Sequence, residues 1–420
     1  MRKRYGIILF VLIAFGGGIL WLLLSGEPIE EGRCKLIRSK VPADSQLVGL
    51  AVQMLEPLPA QPEGVRDLPA GFSRPCYYEM RSGARRIPLV VNLSDKPNLC
   101  LDTDGDGVLA QERCLEATSV RRTRESGDTW RFGPISPAFP DSAGTAESGF
   151  YVDCYRVDAP GLLLTRPAFF RTGKLRVEGR TYRVAVVDGD CDDQFRSFLS
   201  LPLDRAWRCP GSDVFAIDRT RDGQFQFSPY GQSEVMPLGH LLQMANTYYA
   251  IDIAPDGTSL TLTRTQPESG TLAIEPNHAT VGLKLWSDAS EQYLRGHQWQ
   301  LPAGRYKAVH ATWENRDASG DTWSFSSNLS SAFTCLGSLE SFVIQPGETT
   351  AIRIGPPFVV KAEVQKISPG LVSVNSVLVG CAGEQYLAGC QRNGRRAPAP
   401  SFQIVDEKGT VLVTDKFQYG

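Results

Sequence analysis

Three short acidic stretches carry the residue types and spacing suited to a hard metal ion. Leu101-Asp102-Thr103-Asp104-Gly105-Asp106-Gly107-Val108-Leu109 is the clearest. Val187-Asp188-Gly189-Asp190-Cys191-Asp192-Asp193-Gln194-Phe195 and Ile217-Asp218-Arg219-Thr220-Arg221-Asp222-Gly223-Gln224-Phe225 repeat the pattern. Each places a hydrophobe before oxygen-bearing side chains at loop positions 1, 3 and 5: Asp102, Asp104 and Asp106; Asp188, Asp190 and Asp192; Asp218, Thr220 and Asp222. A turn residue follows at position 6 and a hydrophobe at position 8. Calcium takes about six to eight oxygens, and a tightly curled loop aims alternate carboxylates at one centre. The backbone carbonyl of position 7, Val108 in the first loop, would join them. Ca²⁺ is therefore the expected cofactor. The competing reading of each loop is an acidic turn that holds only water.

Besides the apolar N-terminal run, the sequence reads as helical only in a short stretch around Ala110–Thr118; through its D-x-D-x-D-G core, Asp102–Arg113 resembles the EF-hand calcium loop, which that helix would fit. The pattern is incomplete. An EF-hand has a bidentate Glu at position 12, whereas this chain has Arg113; Glu112 and Glu116 stand out of register, and Glu112 is the candidate substitute. Lacking that ligand, the loop is expected to bind weakly, at about 10⁻⁴–10⁻³ M. The second loop has Asp193 at position 6 and Leu199 at position 12; the third has Pro229 there. Asp213, between them, is a further candidate ligand.

The rest of the chain must position these loops. It has 420 residues, enough for two to four domains. With 28 prolines and 40 glycines, short strands joined by turns fit better than long helices. The expected fold class is mainly β and multi-domain, with an immunoglobulin-like β-sandwich in the C-terminal part. Residues 26–75 read as a proline-rich linker, 76–172 as a β-rich domain with the EF-hand-like loop, 173–266 as a β domain with two acidic loops, and 270–420 as the sandwich region. Pro255-Asp256-Gly257 between Thr247–Ile253 and Leu260–Thr263 reads as a hairpin turn.

Residues 1–5 form a basic tail (Arg2, Lys3, Arg4), and 6–25 contain the nearly unbroken apolar run Ile7–Leu24. This run is long enough for a single N-terminal transmembrane helix, with the basic end in the cytoplasm. An uncleaved signal-anchor, a cleaved signal and a buried core helix are the alternatives. An anchor places the remainder outside the cytoplasm, in the periplasm or on the cell surface, where disulfides form. The ten cysteines include three pairs close in sequence: Cys100–Cys114, Cys191–Cys209 and Cys381–Cys390. Cys34, Cys76, Cys154 and Cys335 remain, with three pairings open among them, free buried thiols being the other reading.

Over about residues 180–420, the segments Tyr182–Asp188, Ile217–Phe227, Ser259–Thr263, Leu301–Tyr306 and Phe402–Gly420 are similar to uncharacterised exported envelope proteins of bacteria. That likeness implies an envelope location and no activity. A net charge of −2 gives no footprint for nucleic acid. No G-x-S-x-G or H-E-x-x-H motif occurs. His297 and His310, with Trp286, Trp299, Trp313 and Trp323, form either a carbohydrate-stacking face or sandwich core, and Glu314 with Asp317 or Asp321 is the one carboxylate pairing open to a glycosidase. The expectation is a non-catalytic, membrane-anchored envelope protein that binds or scaffolds, with an envelope protein or polysaccharide as partner. The alternative is a secreted carbohydrate-active or other hydrolase.

Overall fold

The computed structural model describes residues 30–420 apart from 42–46, 48–49, 83–84, 94–96, 124–126, 136–148, 156–160, 202–210, 276–278, 328–336, 369–370, 387–389, 399–400 and 417–420. The apolar run Ile7–Leu24 lies outside the described residues. Among those described, no helix is long and apolar enough to cross a membrane. The elements are strands, turns and short 3₁₀ segments such as Leu109–Gln111.

Strands form where side chains alternate between core and surface, because a strand has period two. Leu163–Pro167 buries Leu163, Thr165 and Pro167; Phe169–Val177 buries Phe170, Thr172, Leu175 and Val177. A strand with one apolar face needs a second layer, and the chain supplies it three times as facing sheets.

In the first pair of sheets, Gln53–Leu55, Leu163–Pro167, Phe150–Tyr155, Gly127–Ile135 and Ser119–Thr123 lie side by side in that order. Pro75–Ser82, Arg85–Asn92, Asn98–Leu101 and Leu115–Glu116 make the other sheet. Tyr78, Leu89, Leu99, Phe132, Phe150 and Val152 fill the core between them.

The second pair joins Val235–Pro237, Val214–Ile217, Arg180–Val187, Phe169–Val177 and Ile37–Lys40 in one sheet, and Arg33–Lys35, Ser259–Thr265, Thr247–Ile253 and Leu241–Met244 in the other. Two strands from within the proline-rich stretch thus enter opposite sheets. Gly173 permits this crossing: a Cβ there would run into Lys35 O and press on the Leu36 side chain. The expected hairpin between Thr247–Ile253 and Ser259–Thr265 is present, with Gly257 at φ +68° in its turn.

In the third pair, Gln298–Pro302, Ser269–Glu275 and Thr349–Arg353 face a seven-stranded sheet that includes Glu291–Gly296, Thr280–Ser287, Gly304–Arg316 and Thr322–Ser326. Ser269–Glu275 and Thr349–Arg353 run parallel.

Arg180–Val187 and Val214–Ile217 end in fully buried runs because both faces of their sheet are covered. Val184, Val186, Phe215 and Ile217 face the inside of the second sandwich. Ala185, Val187, Val214 and Ala216 pack instead against Leu47, Leu50, Leu199, Trp286 and Val309, so this outer face shares a core with the third sandwich. The junction also carries buried charge. Lys284, 2 % exposed, donates from Nζ to Ser228 O at 2.6 Å and lies 3.2 Å from Glu291 Oε1, while Trp286 Nε1 donates to Glu291 Oε2 at 2.9 Å.

Two sequence expectations are corrected. Ala110–Thr118 is not a helix: after the Leu109–Gln111 turn, Leu115–Glu116 pairs with Asn98–Leu99 as a strand. The Cys100–Cys114 disulfide, its Cα atoms 4.5 Å apart, extends this pairing by one step beyond Leu99 and Leu115. Cys381 and Cys390 are unbonded, because Cys381 turns against Gly355 whereas Cys390 sits in a strand opposite Phe325. Cys209 and Cys335 lie outside the described residues.

Removing one partner of a buried ion pair strands the other charge, at a cost of about 3–5 kcal/mol. Glu291→Ala is therefore expected to lower the urea midpoint of the transition reporting the second and third sandwiches. Trp286→Phe, which loses one hydrogen bond worth about 1 kcal/mol, should lower it less.

Candidate metal centres

The three acidic loops share one backbone path. Each begins where a buried strand ends, at Leu101, Val187 or Ile217, and its first aspartate is buried. The fourth and sixth residues are left-handed in every copy: Gly105 and Gly107 (φ +81° and +78°), Cys191 and Asp193 (+59° and +62°), Arg221 and Gly223 (+60° and +82°). Asp193 fills the place of glycine because aspartate tolerates this region better than most side chains. The fifth residue accepts the amide of the seventh each time: Asp106 from Val108 (2.6 Å), Asp192 from Gln194 (2.8 Å) and Asp222 from Gln224 (2.8 Å).

In the first loop, Asp102 accepts the amides of Gly105 (2.8 Å) and Gly107 (3.1 Å). Oxygens of Asp102, Asp104 and Asp106 lie within 4.8 Å of one another, with Asp104 and Asp106 open to solvent. Glu112 latches the loop from outside, accepting Thr103 N at 2.8 Å and Thr103 Oγ1 at 2.7 Å. The Val108 carbonyl accepts the Gln111 amide at 3.3 Å. Burial raises the Asp102 pKa, the Gly105 and Gly107 amides oppose the rise, and Asp104 and Glu112 add to it.

The second loop gathers a different trio from the spacing-derived one. Asp188 and Asp190 converge with Asp213, again with oxygens within 4.8 Å. Asp192, beside them, caps its own loop. Asp188 accepts the amides of Asp192 (3.1 Å) and Asp193 (2.9 Å); Asp213 accepts those of Gly189 (3.0 Å) and Ser197 (2.9 Å). Burial pushes Asp188 and Asp213 well above the usual carboxylate range, with neighbouring acids adding to it. It raises Asp190 to about 6, Asp192 reinforcing the shift.

The third loop is closed on itself. Asp218 accepts the amides of Asp222 (3.1 Å) and Gly223 (2.9 Å), and Asp222 Oδ2 accepts Gln226 Nε2 (2.8 Å). Glu234, which no spacing signals, accepts the amides of Thr220 (2.8 Å) and Gln226 (3.1 Å). Asp218, Thr220 and Asp222 belong to neither converged acidic trio among the described residues.

The aromatic cluster is mostly interior. Trp286 and Trp313 are buried, and Trp299 packs against the same core as Trp313. Trp323 donates to Asp317 at 2.8 Å. His310 is buried with Nε2 2.8 Å from Ser326 Oγ, and burial, then Lys284, lowers its pKa to about 4. The pKa of Asp317 falls to about 2, chiefly through Ser319 and Trp323; that of Asp321 falls through Asn393 and Arg392. Both are thus held ionised, the opposite of a catalytic acid. Over the polar face of the seven-stranded sheet lies a cleft of about 440 Å³ lined by Tyr230, Tyr293, Arg295, Thr312, Glu314 and Gln391.

The chain matches no family model, no curated protein and no solved structure. The likeness over residues 180–420 rests on its quoted segments alone.

An acid whose pKa is raised by folding loses stability as pH climbs from the unfolded value, about 3.9 for aspartate, through the folded one. For Asp190 that window ends at about 6, and Asp188 and Asp213 act in the same sense. In EDTA, the protein is expected to melt at a lower temperature near pH 7 than near pH 5, and Asp190→Asn should flatten that slope in calorimetry.

Proposed function

We propose that this is a non-catalytic binding or scaffolding protein of the cell envelope, anchored by its N-terminal apolar run, with calcium taken up by its acidic loops. The observation that carries the reading is the converged trio of buried Asp102 with solvent-exposed Asp104 and Asp106. Its donors are all carboxylate oxygens, the set a hard cation prefers. The Cys100–Cys114 disulfide encloses the whole loop, so an oxidising compartment would both form the bond and supply calcium. Such a closed loop stabilises the fold by about 3 kcal/mol in chain-entropy terms. The parallel strand pair in the third sandwich is compatible with an immunoglobulin-like variant.

A polysaccharide is the partner we favour. The 440 Å³ cleft combines exposed Tyr230 and Tyr293 with Arg295, Glu314 and Gln391, and sugars present both apolar ring faces for stacking and hydroxyls for hydrogen bonds.

Calorimetric titration of the full-length protein with calcium chloride should show an exchangeable site at about 10⁻⁴–10⁻³ M. D104N/D106N should lose that site; an identical isotherm in the double variant refutes the reading. In sedimentation with insoluble envelope polysaccharide, Y293A/R295A should stay in the supernatant while the parent chain pellets.

A further inference from the structure

We infer that Asp188, Asp190 and Asp213 form a second, buried cation site that clamps the 188–201 segment in place. This deepens the calcium reading and concerns a site separate from the solvent-facing loop. Oxygens within 4.8 Å of one another can each reach a single calcium ion, whose oxygen ligands stand about 2.3–2.6 Å away.

The independent observation is Asp190. It is 9 % exposed, and its buried Oδ1 has no hydrogen-bond partner among the described residues. Buried carboxylate oxygens are ordinarily satisfied. Asp188 and Asp213 spend both oxygens on backbone amides, and those bonds fix their orientation. Asp190 Oδ1 is the acceptor left over. Burial and the neighbouring acids raise all three carboxyls. A divalent cation supplies the missing partner.

The position gives the site its consequence. Asp190 O accepts Gln53 Nε2 of the first sandwich at 3.0 Å. Phe195 N donates to Pro255 O (3.0 Å) and Leu199 N to Leu238 O (2.7 Å) in the second. Leu201 N donates to Asp288 Oδ1 (2.6 Å), and Leu201 O accepts Arg305 NH1 (3.2 Å), in the third. The ion would thus pin a segment that touches all three sandwiches.

The test compares the full-length D104N/D106N chain, in which the outer loop is silent, with the same chain carrying D190N. Asparagine keeps the side-chain size and removes one charge. Melting temperatures are read by scanning calorimetry with EDTA and with millimolar calcium chloride. Calcium should raise the melting temperature of D104N/D106N. Adding D190N should weaken calcium affinity by roughly tenfold or more, since affinity follows ligand charge, and should raise the melting temperature in EDTA by removing a buried like charge. The inference is overturned if calcium does not shift D104N/D106N, or if D190N leaves the calcium increment intact. It is equally overturned if D190N lowers stability by the same amount with and without calcium. Failure of the outer loop to bind would leave these readouts unchanged.

Discussion

Carboxyl groups buried against one another are the constraint on which the arrangement turns. Asp188, Asp190 and Asp213 are drawn together because two of them are needed as backbone acceptors. Asp188 curls its own loop, and Asp213 ties that loop's start to Ser197. A hydrophobic residue in either place would leave these amides, one of them fully buried, without their acceptor. The result is a compact acidic knot on the segment that meets Gln53, Pro255, Leu238, Asp288 and Arg305. The three carboxyls thus sit on the one segment whose hydrogen bonds reach all three sandwiches.

The recurrence of one loop geometry shows how the same backbone solution serves different ends. All three copies leave a buried strand, turn through two left-handed residues and cap the seventh amide with the fifth side chain. They differ in what the outer acid does. Glu112 holds Thr103 at the surface, Asp213 joins a buried trio, and Glu234 seals the third loop shut. Ligand geometry therefore depends on a residue outside the repeat.

Local patterns carried much of the fold into view. Alternation marked strands such as Leu163–Pro167, and Asp256-Gly257 marked a hairpin. The acidic spacing located two regions where carboxylates converge. What spacing missed was tertiary in origin. It put Asp192 in the second trio and Asp213 beside it as a further candidate; Asp213 does converge with Asp188 and Asp190, while the loop's curl turns Asp192 to the Gln194 amide. The sequence also read as a short helix over Ala110–Thr118, but the Cys100–Cys114 bridge and the pairing of Leu115–Glu116 with Asn98–Leu99 hold that stretch extended. Nearness in sequence suggested Cys381–Cys390, and separate strand environments keep them apart. Trp286 fills the junction between the second and third sandwiches and Trp313 the core of the third.

The opposite-sheet placement of Arg33–Lys35 and Ile37–Lys40 has a consequence for the order of assembly. Cys34 pairs with Leu260 and Arg38 with Arg171, so the earliest described strands find their neighbours far along the chain. A polypeptide emerging from its N-terminal end must hold Ile37–Lys40 unpartnered until Phe169–Val177 has appeared, and Arg33–Lys35 until Ser259–Thr265 has. Distant pairing of this kind is slow, because closing the intervening loop costs entropy before any ladder bond repays it. The second sandwich is thus completed late in synthesis, and until then its open edge is the part of the nascent protein most exposed to mispairing.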